Sequence, residues 1–175
     1  MIKDLHRAII GGTGSGKTTY ARALAREFRR RGIGTLVLHK PREPWPAPCI
    51  SWQTSDPGEY QRMFWASKRC ACFMELADAA VDKYDARFHK CFTEGRHEGH
   101  RCFYISQYGP QVHPLIRMNC TSLALFATNR MAAKTWAEEF NDDTLLRACQ
   151  LPPHLFMAKP SRYEPARVIR ITDPA

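Results

Sequence analysis

The stretch Gly11–Thr18, GGTGSGKT, decides how this chain is expected to fold. It matches G-x-x-x-x-G-K-T, a glycine-rich loop that binds nucleoside triphosphates when it joins a β-strand to an α-helix. The flanking residues supply that context, because the apolar run 7–10 precedes the loop and a helical pattern follows it as far as Gly32. The sequence therefore predicts a phosphate-binding loop rather than an isolated glycine turn.

The residue types of this loop predict how a nucleotide is held. Glycines let the backbone N–H groups turn towards phosphate oxygens, and the start of the following helix adds partial positive charge. Lys17 is expected to reach the β- and γ-phosphates, and the Thr18 hydroxyl to ligate Mg²⁺. ATP and Mg²⁺ are the predicted cofactors, and the predicted binding residues are Gly11, Gly12, Thr13, Gly14, Ser15, Gly16, Lys17, Thr18 and Thr19.

Beyond the loop, apolar runs alternate with helical patterns. Further strands are predicted at 34–40, 70–75, 101–107 and 122–128, and helices at 55–68, 76–95, 131–140 and 143–151. Segment 41–48 holds four prolines and is expected to be an extended surface segment. Two strands joined near Pro160 to Pro165 predict a C-terminal β-hairpin at about 153–172. The pattern favours one α/β domain over 1–175, with a mostly parallel central sheet and helices on both faces.

Composition limits the classes of protein. The seven cysteines are odd in number and several lie in apolar runs, which favours reduced core residues. Cys91, His97, His100 and Cys102 match no common zinc spacing, and a basic loop is the preferred interpretation. No apolar run reaches the length of a membrane span, and the charged N-terminus is unlike a signal peptide.

The chain carries a formal net charge of +9, from 26 Lys and Arg against 17 Asp and Glu. Such an excess suits a polyanionic partner, nucleic acid first. Five arginines crowd the first predicted helix, and they could equally form a solvated helix face with cations near its C-terminal end. They are Arg22, Arg26, Arg29, Arg30 and Arg31.

Polar residues at the ends of apolar strands are candidates for nucleotide chemistry, since parallel strands end together at one edge of the sheet. Glu75 ends one strand and could position the attacking water, while Asp78 could help to hold Mg²⁺ or could cap a helix. Gln107 ends another strand, where an amide can contact both the γ-phosphate and water. Arg117, predicted in the following loop, could stabilise a transferring phosphoryl group from a neighbouring subunit or could be structural.

Three segments together resemble the FtsK–HerA superfamily of P-loop ATPases. They are GGTGSGKT, CACFMEL at 70–76 and EGRHEGHRCFYISQYGPQVHPLIRMN at 94–119, within a similarity covering about residues 5–140. The nearest similarity is to the genome-packaging ATPases of tailless, membrane-containing viruses and phages. The resemblance implies a P-loop fold of the additional-strand, RecA-like type. It also implies a homo-oligomeric ring, usually a hexamer, that threads double-stranded DNA without reading its sequence.

This resemblance assigns roles to particular residues. Lys17 and Thr18 would bind phosphate and Mg²⁺, Glu75 would be the catalytic glutamate, Gln107 the sensor and Arg117 an arginine finger. Family members end the third strand in Asp-Glu, whereas this chain has Met74-Glu75. The metal-holding acid is therefore either Glu75 itself or Asp78, and the predicted metal set is Thr18, Glu75 and Asp78.

The resemblance further implies capsid vertex proteins as partners, and a location in the host cytoplasm or at the packaging vertex of the virion. Two alternatives stay open. One is a small-molecule or nucleotide kinase, in which the turn RHEGHR at 96–101 would serve as a lid. The other is a phage assembly protein that binds ATP without motor activity, which Met74 makes conceivable.

Overall fold

A computed structural model describes residues 6–75, 85–107 and 109–171. Within these residues, eight strands form one sheet in the order β3-β2-β4-β5-β1-β6-β7-β8. The first six strands of this order are parallel, and β7 and β8 add to one edge in antiparallel pairing. The strands are β1 (His6–Ile10), β2 (Thr35–Leu38), β3 (Trp52–Thr54), β4 (Ala71–Glu75), β5 (Arg101–Ser106), β6 (Ser122–Phe126), β7 (Leu155–Lys159) and β8 (Arg167–Arg170).

Helices cover both faces of the sheet, as the α/β prediction requires. α1 (Lys17–Arg30) packs on one face, where Ala21, Ala25 and Phe28 join a buried cluster with alternate residues of the strands. The other helices pack on the opposite face in a second cluster. They are α2 (Pro57–Ala66), α3 (Ala86–Thr93), α4 (Pro114–Asn119) and α5 (Arg130–Phe140). The 3₁₀ helices are Ala47–Cys49, whose Cys49 packs on the α1 side, and Gly95–Glu98, Gly109–Gln111 and Asp143–Gln150.

The C-terminal β-hairpin predicted from the sequence is confirmed as β7 and β8. Its turn is tied to the body of the domain by Arg162, whose guanidinium donates to the Glu139 carbonyl oxygen at 2.7 Å and to the Arg117 carbonyl oxygen at 3.0 Å. The buried Lys159 ammonium donates to the Asp142 carboxylate at 2.8 Å. These charge-assisted bonds fix the hairpin against α5 and the residues that follow it.

Four local predictions differ from the structure. The helix predicted at 76–95 does not run through Asp85, which has extended backbone and caps α3 by accepting a bond from the Arg87 N–H; residues 76–84 lie outside the described part. The segment predicted at 41–48 is exposed as expected except at Trp45, which is 2% exposed. The helix predicted at 143–151 is a 3₁₀ helix, and the short strand β3 was not predicted.

Three members of the suspected cluster, Cys91, His100 and Cys102, lie in the core, whereas His97 is exposed in the turn before β5. Cys91, Cys102 and His100 are fully buried, and burial raises the pKa of both thiols. His100 uses both ring nitrogens, since Nδ1 accepts from the Cys70 N–H and Nε2 bonds to the Phe64 carbonyl oxygen. All seven cysteines are free thiols, which confirms the reduced-core interpretation for the buried ones. None of the described helices combines the length and the apolar character needed to cross a bilayer.

Candidate functional site

The glycine loop joins β1 to α1 at the carboxyl edge of the sheet. The loop is anchored to the two strands that flank β1. The Gly11 N–H donates to the Ser106 carbonyl oxygen of β5 at 3.3 Å, and the Gly12 N–H donates to the carbonyl oxygen of Ala127, directly after β6, at 2.8 Å. Gly16 has φ +107°, and a Cβ there would lie 2.8 Å from Ile171 Cδ1. Only glycine suits this position, since both the backbone and the adjacent hairpin exclude a side chain.

The loop lines a pocket of about 200 Å³ whose other walls come from distant segments. α1 begins at Lys17 without a side-chain cap on Gly16, so the positive end of the helix faces this space uncapped. Of the predicted binding residues, Gly11, Gly12 and Ser15 are not among those that line the pocket. The lining residues are Thr13, Gly14, Gly16, Lys17, Thr18, Thr19, Lys40, Gln107 and His154.

The Lys17 side chain is hydrogen-bonded to the backbone of the glycine loop. It extends over the glycines, and Nζ donates to the Gly12 carbonyl oxygen at 2.7 Å. The residue is 8% exposed, so its charge lies largely out of water. A buried ammonium group at a helix N-terminus is a strong attractor for phosphate oxygens.

Glu75 and Thr18 are directly bonded. The Thr18 hydroxyl donates to Glu75 Oε1 at 2.6 Å, and the Trp45 indole N–H donates to Glu75 Oε2 at 3.0 Å. The Glu75 carboxylate is 4% exposed, and both of its oxygens are therefore satisfied in a buried setting. Two oxygens from Thr18 and Glu75 at this separation suit Mg²⁺, which takes few protein ligands and keeps waters and phosphates for the rest.

Alternation along β4 shows which acid faces the loop. Met74 is fully buried in the cluster beneath α2 and α3, on the face of the sheet opposite to α1. Phe73 and Glu75 point to the α1 side, since neighbouring strand residues face opposite ways. Met74 therefore does not stand in the place of a metal-holding aspartate. Glu75 occupies the position bonded to the loop threonine, and Asp78 lies outside the described residues.

Gln107 follows β5 directly and contacts the loop from the side. Its Oε1 accepts a hydrogen bond from the Thr13 hydroxyl at 3.1 Å. This bond uses the carbonyl end of the amide, so the two N–H donors are the atoms that a phosphate or a water could bond. The predicted sensor residue thus lies beside the phosphate loop.

Arg117 lies in helix α4, not in a loop as predicted. Its guanidinium is 18% exposed, donates to the Val112 carbonyl oxygen at 2.6 Å and approaches Glu139 Oε2 at 3.4 Å. β5, the strand that precedes α4, lies inside the sheet between β4 and β1. A finger role would require this guanidinium to exchange Glu139 for a phosphate of a neighbouring subunit, and it stays a prediction.

Four of the five arginines on and just after α1 divide into two groups. Arg22 lies over the Trp45 ring at 5.7 Å and Arg29 donates to Ser51 Oγ at 2.9 Å, so these two are engaged with the β2–β3 connection. Arg30 and Arg31 pair with Glu27 but are 66% and 52% exposed. Exposed pairs of this kind contribute little and exchange readily, so these two remain accessible to a polyanion.

Three residues of the site were not found from the sequence. Lys40 and Trp45 belong to the β2–β3 connection, and His154 precedes β7, where its N–H donates to the Ser15 carbonyl oxygen at 3.1 Å. A lysine two residues after a buried strand is a signal that could have suggested Lys40, because that strand also ends at the carboxyl edge. No local pattern marks Trp45 or His154.

The architecture has close counterparts among solved structures. The genome packaging NTPase B204 from Sulfolobus turreted icosahedral virus 2, in complex with AMPPCP, superposes with a TM-score of 0.77 at 11% identity, covering 95% of this chain and 97% of that one. This chain has the fold of a genome-packaging NTPase. The sulfate complex of B204 gives a TM-score of 0.78 at 10% identity, with 97% of both chains covered.

The same fold occurs within larger proteins. The pCW3 conjugation coupling protein TcpA, with ATPγS, has a TM-score of 0.72 at 14% identity over 96% of this chain and 60% of its own. The cytoplasmic domain of the type VII secretion ATPase EccC from Thermomonospora curvata has a TM-score of 0.61 at 14% identity, covering 98% of this chain and 26% of that one. No protein-family model and no curated protein matches the sequence. The fold expected from the FtsK–HerA resemblance is confirmed by these neighbours.

Proposed function

We propose that this protein is an ATPase of the FtsK–HerA superfamily that moves double-stranded DNA into a preformed viral capsid. The observation that carries the proposal is the Thr18–Glu75 hydrogen bond beside Lys17. It joins a loop hydroxyl to a buried strand acid beside a pocket of about 200 Å³ that Lys17 and Thr18 line. The packaging-NTPase fold supports the motor function, at 97% coverage of the B204 chain.

Four residues in or beside the pocket have a part in the proposed hydrolysis. Lys17 and the uncapped start of α1 would bind the phosphate oxygens, and Thr18 with Glu75 would hold Mg²⁺, which supplies positive charge against the phosphates. Glu75 is the acid that the described residues bring to this point, so it would also orient the attacking water. The Gln107 amide would donate to that water or to the γ-phosphate and so report whether the nucleotide is intact.

The turn at 96–101, the lid of the kinase alternative, is in the wrong place to cover a bound nucleotide. The turn at 96–101 precedes β5, so it lies at the amino edge of the sheet, away from the glycine loop. There the Arg69 N–H donates to the Glu98 carbonyl oxygen at 2.9 Å and the Cys70 N–H to His100 Nδ1 at 3.1 Å, which ties the turn to the start of β4. A turn at this edge cannot cover the phosphates, and hydrolysis is the better supported use of the nucleotide.

The proposed motor is a homo-oligomeric ring, a hexamer, around DNA. The net charge of +9 and the exposed Arg30 and Arg31 support a polyanionic partner. Capsid vertex proteins are the proposed docking partners, which would place the assembled ring at the packaging vertex and its free subunits in the host cytoplasm.

ATP turnover measured with and without duplex DNA tests the proposal. We expect phosphate release that rises when duplex DNA is present. A kinase would instead turn over ATP only with an acceptor molecule, and an assembly protein would bind ATP without releasing phosphate. Either of these results contradicts the motor function.

DNA binding is expected to depend on salt and not on sequence. A packaging motor must accept a whole genome, so its contacts are expected to go to phosphates rather than to base edges. In a plot of log affinity against log salt concentration, each neutralised phosphate contributes about −0.9 to the slope. Two unrelated duplexes of equal length should bind alike at every salt concentration. Salt-insensitive affinity, or no binding by the assembled protein, would count against the proposed partner.

A mixing experiment tests whether Arg117 acts on a neighbouring subunit. Subunits carrying Arg117→Ala keep an intact loop, and subunits carrying Lys17→Ala keep an intact arginine, so mixed rings contain some complete interfaces. Partial ATPase activity should return on mixing. Thermal unfolding of Arg117→Ala is the control for the lost Glu139 and Val112 contacts. Co-assembly without any recovered activity would remove the finger assignment.

A further inference from the structure

Lys40 is the second lysine of the phosphate pocket. β2 ends at Leu38, which is paired with Met74 of β4, so the residues after β2 emerge beside Glu75 at the carboxyl edge. Lys40 lines the same pocket as Lys17, Thr18 and Gln107. Two ammonium groups therefore face one small space, an arrangement whose repulsion a polyanion would relieve.

The Lys40 ammonium has spare bonding capacity towards that space. Its side chain is 24% exposed, and Nζ lies 4.0 Å from Glu75 Oε1, which is too long for a hydrogen bond. That oxygen already accepts from the Thr18 hydroxyl at 2.6 Å. Glu75 thus attracts the Lys40 ammonium group without accepting a hydrogen bond from it. The N–H donors of Lys40 can therefore bond to a phosphate oxygen.

The backbone on both sides of Lys40 is fixed. Before it, the His39 N–H donates to the Thr54 carbonyl oxygen at 3.0 Å; after it, the Glu43 N–H closes a turn onto the Lys40 carbonyl oxygen at 3.0 Å. Trp45 is clamped by the Gln53 amide, through its N–H at 2.8 Å and its carbonyl oxygen at 3.2 Å. The lysine is therefore presented by a held connection, which reduces the entropy lost when it binds a ligand.

The direction of the pocket decides which phosphate Lys40 meets. Lys40 enters from the β2 side of the sheet and His154 from the β7 side, with the glycine loop between them. The Thr18–Glu75 bond, where the metal between the terminal phosphates would sit, lies on the Lys40 side. We propose that Lys40 binds the terminal phosphate of the nucleoside triphosphate, as a second cation acting within the same subunit. This inference rests on the proposed ATP binding and names a further residue of that site.

Calorimetric binding of a hydrolysis-resistant ATP analogue and of ADP tests this role. Lys40→Gln is expected to weaken the analogue about tenfold and ADP by less than about twofold, because the lost charge-assisted bond goes to the phosphate that ADP lacks. Lys40→Arg keeps the charge and should retain most of the preference for the analogue. Lys68→Gln is the matched control, since Lys68 is 77% exposed and precedes β4 at the opposite edge of the sheet.

The outcomes separate this inference from the proposed function. If the wild-type protein binds the analogue and Lys40→Gln binds it with the same affinity, the role of Lys40 is overturned and the proposed function is not. Equal losses for the analogue and for ADP overturn the terminal-phosphate contact. A wild-type chain that binds neither nucleotide overturns the proposed function and this inference with it.

Discussion

Glu75→Gln is expected to lower ATP hydrolysis by about 10²-fold or more while the variant still binds ATP. The glutamine amide has the same size as the carboxylate and can keep both hydrogen-bond partners, Thr18 and Trp45. Its oxygen can accept from the Trp45 indole N–H, and its NH₂ group can donate to the Thr18 hydroxyl oxygen. The fold should therefore survive, and what is lost is the negative charge of the carboxylate.

Single-turnover phosphate release and ATP binding with and without Mg²⁺ measure these two losses separately. If ATP binds equally well in both conditions and hydrolysis falls, Glu75 acts on the water. If only Mg²⁺-dependent binding is lost, Glu75 is the metal holder. Glu98→Gln is the control, because Glu98 pairs with Lys68 at the opposite edge of the sheet. Unchanged binding and hydrolysis in Glu75→Gln would exclude both roles.

Lys17→Ala should weaken ATP binding by about 10²-fold to 10⁴-fold, because two charge-assisted bonds to phosphate oxygens are lost. The buried Lys17 ammonium donates to the Gly12 carbonyl oxygen at 2.7 Å. Binding requires it to pass from that carbonyl to the phosphates, and no neighbouring side chain in the loop can replace its charge.

Equilibrium titration with a fluorescent ATP analogue gives this affinity, and circular dichroism checks that the loop variant is folded. Lys134→Ala is the control, since its side chain is 69% exposed on α5 and pairs with Glu138 on the helix surface. A folded Lys17→Ala protein with wild-type affinity would mean that nucleotide binds elsewhere, and the assignment of the pocket would fall.

Local chemistry explains which elements could be predicted. Apolar runs gave β1, β2, β4, β5 and β6, because strands buried on both faces are continuously apolar. The helix predicted at 55–68 is confirmed as α2, where Asp56 accepts from the Glu59 N–H and Pro57 lies in the first turn. The helix predicted at 143–151 is a 3₁₀ helix in the structure. The short strand β3 was not predicted, because its three residues carry too weak a pattern to indicate a strand.

The sequence by itself determined the glycine loop, the strand–loop–helix order around it, and the placing of Glu75 and Gln107 at strand ends. These features depend on residues close together in the chain. Only the tertiary structure decided that Glu75, and not the position of Met74, meets Thr18, because α1 packs on one face of β4 and not on the other. It also brought Trp45, Lys40 and His154 to the loop, since side chains far apart in sequence become neighbours only where parallel strands end at a common edge.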